Sequence, residues 1–330
     1  MEHSIDSHIT QFLTSFGANQ TMTSWPWMKG VEVAIADPVE PVCTEDDRPA
    51  VKALILKHSE KIDKIKTALE DDPLYNPKKH DDLWILRFWL SHKKSKAAIE
   101  AAKHTLEFRK KYHLDELDIR KMPPQEVKDG KLAEYNAAWK RKDGIVCYHP
   151  DPKRGVIVFI AVEARDQNVL VEKLSEDYWL PALLYLDEYS FQCLDYVTRT
   201  TGRLTKLIRF ADCRGLSLGG LNMECTRRDA RFMALMEDCY PQMTECIFVC
   251  NAPTLIGVIW KTFSPFFPKR VRSKFDIVYP KDNAKDHKKL LRYISEENIP
   301  DIHEGKNPAS PEKCTSDETS NKRAEVYWWW

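Results

Sequence analysis

Gly155-Val156-Ile157-Val158-Phe159-Ile160-Ala161-Val162 decides the fold class. The run is continuous, β-branched and opened by glycine, the pattern of a strand buried on both faces rather than of a half-exposed one, which would alternate. Two more apolar runs follow, Leu204 to Ala211 and Cys246 to Cys250, with helical spacing from about Ser175 to Arg199 and from about Thr226 to Asp238 between them. Strands alternating with helices predict an α/β sheet domain.

Upstream of the Met122-Pro123-Pro124 break the pattern is helical. Val51 to Leu69 places Leu54, Ile62, Ile65 and Leu69 at helical spacing with His58 as a gap, and Pro73 and Pro77 then punctuate the chain. Asp81 and Asp82 favour a helix N-terminus ahead of Leu83 to Leu90, and Ser95 is placed to cap a further helix running to about Tyr112. Residues 1–47 mix Ser, Thr, Pro and acidic residues without periodicity, and the stretch after Gly305 is polar until it ends in Tyr327-Trp328-Trp329-Trp330. The expected organisation is a flexible leader (1–47), a helical N-terminal subdomain (48–120), an α/β domain (121–306) and a disordered tail with a Trp-rich end (307–330).

Composition narrows the function classes. Lys plus Arg and Asp plus Glu are each 50, so the formal net charge is zero and the chain lacks the basic footprint of a nucleic-acid binder. Nine scattered cysteines, mostly inside apolar runs, predict reduced core thiols in a cytoplasmic protein rather than a disulfide framework. Cys246 and Cys250 stand too far apart along a strand to share one zinc ion, so no metal is expected. Cys225 and Arg231 have the Cys-x5-Arg spacing of a phosphatase loop, but the residues between them lack glycine and read as the opening turn of a helix. No nucleophile elbow, phosphate-binding loop or dinucleotide-binding glycine pattern is present. Acids such as Asp187, Glu188 and Asp212 are candidates for catalysis, but their positions, mid-helix or before a turn, read as solvated or capping carboxylates. The expectation is a protein that is not an enzyme.

Thr254 to Phe267 carries apolar residues on nearly every face and a single charge, and is followed at once by Lys269, Arg270, Arg272 and Lys274. As pure structure this is a buried helix and a solvated charge run; as a surface device it is an apolar wedge beside a cationic strip, suited to an anionic membrane.

Several motifs occur in a fixed order: Leu86-Arg87-Phe88-Trp89-Leu90, Asp212-Cys213-Arg214-Gly215-Leu216-Ser217-Leu218, Tyr240-Pro241-Gln242, Val249-Cys250-Asn251-Ala252-Pro253, Ser264-Pro265-Phe266-Phe267, and Asn298-Ile299-Pro300 before Gly305. In this combination the chain resembles the CRAL-TRIO lipid-binding family, especially its phosphatidylinositol and phosphatidylcholine transfer proteins. The resemblance implies a helical N-terminal subdomain followed by a mixed or parallel sheet whose flanking helices enclose a hydrophobic pocket for one lipid. It implies no cofactor beyond that bound lipid, a phosphatidylinositol or another hydrophobic molecule. The Leu255 to Phe267 segment is then a gate, with Leu255, Ile259, Trp260, Phe263, Phe266 and Phe267 as its apolar residues. Matching the family's headgroup site position by position gives His92, Lys93, Gln242, Val271 and Lys274. Both lysines are kept as phosphate-binding charges, whereas His replaces Arg, Gln replaces Glu and Val replaces Thr, which implies altered selectivity. The pair that serves phosphatidylcholine falls at Leu207 and Arg209, neither a hydroxyl residue. The implied function is a monomeric intracellular lipid carrier, transiently and peripherally membrane-bound; the alternative is a lipid-regulated interaction adaptor without bulk transfer.

Overall fold

The computed structural model describes residues 47–116, 118, 145–151, 155–162, 165–216, 218–277, 291 and 325–328. The leader up to residue 46, the Asn298-Ile299-Pro300 motif and Gly305 lie outside the described residues.

Four helices build the N-terminal unit. The expected single helix over 51–69 is two, α1 (Val51–Lys57) and α2 (Ser59–Leu69), because His58 leaves helical geometry at φ −117°, ψ 16°. α3 (Asp82–His92) starts where Asp81 accepts a hydrogen bond from the Trp84 amide. α4 (Ser95–Lys111) is not capped by Ser95: Lys94 holds the cap position and Ser95 is already inside the helix, with no side-chain cap bond. Ile62, Ile65, Leu69, Ile85, Leu86, Phe88, Ala98 and Ala102 form the core of this unit. Each fully buried Leu, Ile or Phe is worth about 1.5–3 kcal/mol relative to exposure.

The α/β domain has a six-stranded sheet in the order β5-β4-β3-β2-β1-β6, with β1 (Ile145–Asp151), β2 (Gly155–Ala161), β3 (Leu207–Asp212), β4 (Thr244–Cys250), β5 (Phe275–Ile277) and β6 (Glu325–Trp328). β2 to β5 are parallel neighbours, while β1 pairs antiparallel with both β2 and β6. The mixed, mainly parallel sheet matches the expected fold class. Parallel neighbours need crossovers long enough to return the chain, which helices provide. α5 (Gln167–Lys173) and α6 (Glu176–Thr201) lie between β2 and β3; α7 (Met223–Cys239) lies between β3 and β4; α8 (Ile256–Phe263) and the short α9 (Lys269–Arg272) lie between β4 and β5. Gly202, at φ +66°, ends α6 in the left-handed conformation that lets the chain turn back towards β3.

Two buried arginines fasten the helical unit to α6. Arg87 on α3, only 1% exposed, donates to Asp195 Oδ1 at 3.2 Å and Thr198 Oγ1 at 3.4 Å. Arg109 on α4 makes two parallel bonds to Glu188, 3.2 and 3.1 Å long, while Tyr240 donates to the same carboxylate at 2.6 Å and Gln192 at 2.7 Å. Asp187 and Glu188 are therefore neither solvated nor capping: they are 2% and 0% exposed, and Asp187 pairs with Arg209 on β3. Asp212 does cap a turn, accepting from the Arg214 amide at 2.9 Å.

Candidate functional site

Val158, Arg209 and Ile247 stand side by side across β2, β3 and β4, so their side chains share one sheet face. α7 covers part of that face and leaves a narrow recess of about 20 Å³ that is open at its mouth. Phe232, Met233, Met236, Met243, Ile247 and Val271 line it, with Arg209, Glu237 and Lys274 as its charged groups. Three unbranched thioether side chains make such a lining readily repacked.

The segment expected to be a gate is α8 followed by a 3-10 turn over Ser264–Phe266. Its launch is built by two of the motifs. Asn251 at the end of β4 takes φ 48° and donates to Asp212 Oδ1 at 3.0 Å, while the Cys213 amide bonds the Cys250 carbonyl at 2.9 Å, so the ends of β3 and β4 are locked together. Ile256 and Ile259 are buried and Phe263 packs with them against Val249 and Cys213. Leu255 and Val258 face out, 48% and 61% exposed, with Phe266 also exposed. Trp260, Phe267 and Phe275 make a ring cluster with centroid distances of 4.7 to 6.5 Å that ties the gate to β5. Arg227 sits over the Phe266 ring at 5.5 Å.

The expected headgroup residues come from three separate elements, and most converge. His92 ends α3, Gln242 lies in the turn between α7 and β4, and Lys274 precedes β5. Gln242 donates to Ser91 Oγ from both its amide (3.2 Å) and its side chain (3.0 Å), joining the turn to α3. His92 Nδ1 lies 3.3 Å from Arg270 Nη1, and Lys274 bonds Glu237. Val271 is buried in the recess lining, and Lys93 is exposed at the end of α3. Lys93 and Gln242 have φ of 60° and 61°, a left-handed conformation that ordinary side chains resist and that recurs at binding sites. Burial, and then the neighbouring Arg270 charge, hold His92 below its ordinary value. Burial likewise lowers Lys274, against the pull of Glu237.

Sequence reasoning missed Arg270, Glu237 and Asp238 as a group. Arg270 was visible only as one member of a cationic strip; in the structure Arg270 and Lys274 turn inward to carboxylates while Lys269 and Arg272 stay exposed. A spacing of four on a chain leaving a short helix was the available signal.

The cysteines behave as core residues. Among the described residues Cys193, Cys213, Cys225, Cys239, Cys246 and Cys250 are buried thiols, and burial pushes Cys213 and Cys239 up to about 12 and Cys225 up to about 11, away from reactivity. Cys225 lies in α7, so the residues after it form helix and not a phosphate-cradling loop. Among the described residues no group of His, Cys, Asp and Glu could hold a metal ion, and no helix is long and apolar enough to cross a membrane.

A solved structure titled "Crystal structure of Sfh5" is similar to this chain at 15% identity and a TM-score of 0.47, covering 75% of this chain and 84% of that one. The family model described as the CRAL/TRIO domain matches residues 141–305, half of the chain, and spans β1 to β5 with both crossovers that frame the recess. On that match, the chain belongs to the CRAL/TRIO domain family.

Proposed function

We propose that this protein is a lipid carrier that shields one phospholipid, a phosphatidylinositol or phosphoinositide, and exchanges it at membranes through the 255–267 gate. The family supports lipid binding in general. The observation that carries the finer reading is the convergence of His92, Gln242 and Lys274 from three elements beside a Met-lined recess that the gate's own chain continuation closes.

The physical requirement fits the residues. Each acyl methylene exposed on leaving a bilayer costs about 0.8 kcal/mol, so a carrier must offer a comparably apolar interior and open it only at the membrane. The recess as it stands is too narrow for an acyl chain, and α8 has apolar residues on both its inner and outer faces. Ile256 and Ile259 serve the closed state, and Leu255 and Val258 are available to a bilayer surface when the segment swings out. Lys269 and Arg272 supply cations for anionic headgroups at the same surface. The protein acts as a cytoplasmic monomer that touches membranes transiently.

The test is binding to vesicles containing phosphatidylinositol. Lys93→Ala combined with Lys274→Ala should weaken binding at least about tenfold, the value of a lost charged hydrogen bond, with the fold intact by circular dichroism. Unchanged affinity would remove the headgroup assignment.

A further inference from the structure

Arg270 and Lys274, which follow the gate directly, are held by two consecutive carboxylates at the end of α7. Arg270 donates from Nη2 to Asp238 Oδ1 at 2.5 Å and lies 3.4 Å through Nε from Glu237 Oε2. Lys274 bonds the other oxygen of Glu237. Glu237 is well shielded, with its side chain 13% exposed, whereas Asp238 is 44% exposed, so Glu237 is the stronger holder.

On its other side Arg270 Nη1 lies 3.3 Å from His92 Nδ1. A guanidinium only donates, so Nδ1 accepts and the neutral ring carries its hydrogen on Nε2. That Nε2 is buried, points away from Arg270 and meets no acceptor among the described residues. Two cations satisfied by carboxylates therefore stand beside the accepting edge of one neutral imidazole. The two free oxygens of a phosphodiester, each able to accept more than one hydrogen bond, can take Arg270 and Lys274 from the carboxylates, since both kinds of oxyanion match the same donors.

We propose that Glu237 and Asp238 are an internal stand-in for a ligand phosphate, a latch that pins α9, and with it the C-terminal end of the gate, onto α7 until a phosphate group takes Arg270 and Lys274. The proposal rests on the carrier reading and adds Arg270 as a phosphate ligand and Glu237 as its competitor. It makes release of the gate a consequence of meeting phosphate, so that opening and headgroup capture are one event. A lipid headgroup and a free phosphate ester share the chemistry.

Amide hydrogen exchange over residues 256–277 of the full chain tests it. The probes are glycerophosphoinositol in solution, phosphatidylcholine vesicles, and the same vesicles containing phosphatidylinositol. In the wild type, exchange should rise roughly tenfold, the loss of about one charge-assisted hydrogen bond, with a phosphoinositol probe. A rise with glycerophosphoinositol shows that the ester alone suffices; a rise only with phosphatidylinositol vesicles assigns the trigger to the lipid. Glu237→Gln should exchange fast before any probe is added and respond little afterwards, and Asp238→Asn should do the same more weakly. Arg270→Met should also start fast and bind the probe less tightly. Wild-type exchange in a folded Glu237→Gln overturns the latch, and if that variant does not fold, wild-type exchange in Asp238→Asn does so. Lipid loading is read separately by mass. Lipid loaded with no effect of Glu237→Gln removes the latch and leaves the carrier, whereas release by glycerophosphoinositol in a chain that loads no lipid keeps the latch and removes the carrier.

Discussion

Arg109 and Glu188 meet across 79 residues of chain, both buried, in a bidentate pair that Tyr240 and Gln192 complete. Such a pair is costly to break, because the surviving charge is left without solvent. Arg109→Met should destabilise the protein by about 3–5 kcal/mol, measured by urea unfolding, and adding Glu188→Leu should recover much of that loss. If the single variant costs under about 1 kcal/mol, the pair does not anchor the helical unit. This scale was the least legible in the sequence. An acid in the middle of a helix reads as solvated until its partner is known, and Asp187, Glu188 and Arg270 all have partners that only the assembled fold brings near. Asp81 and Asn222, by contrast, act locally on amides two or three residues ahead, and for Asp81 the sequence reading was right.

At the scale of elements, α8 carries the account. Its inner face, Ile256, Ile259 and Phe263, packs on β4 while its outer face offers Leu255 and Val258. Phe263→Asp places a carboxylate where only apolar partners wait. Lipid transfer between vesicles should fall at least about tenfold, given the cost of burying an unpaired charge, while lipid already loaded stays bound. Transfer at the wild-type rate would mean that this segment does not gate the recess. Element identity was largely legible: β2, β3 and β4 are dense apolar runs, and the helices between them have clear periodicity. β1, with His149 and Pro150 in it, and the three-residue β5 have no such signature, because their pairing is dictated by neighbouring strands rather than by their own residues. The division of α1 from α2 was equally hidden, since His58 interrupts the backbone without proline or glycine.

The whole molecule is a helical unit clamped by Arg87 and Arg109 onto a mainly parallel sheet, with one face of that sheet shared between α7 and the gate. Buried ion pairs fix the clamp, while the proposed gate is held by apolar packing, an aromatic cluster and the half-exposed Arg270 pairs. Such weaker regions are where opening is expected first. Two of the ordered motifs, Asp212 to Leu218 and Val249 to Pro253, mark the ends of β3 and β4. The recess was less so: its methionines come from α7 and the following turn, and nothing in their spacing says that they face one another. The central claim is that this interior holds a lipid. Native mass spectrometry of the purified full chain, followed by organic extraction, addresses it directly. The account predicts one lipid per chain, extractable and identifiable as a phosphatidylinositol; a chain that flies empty and takes up nothing from mixed vesicles would contradict it.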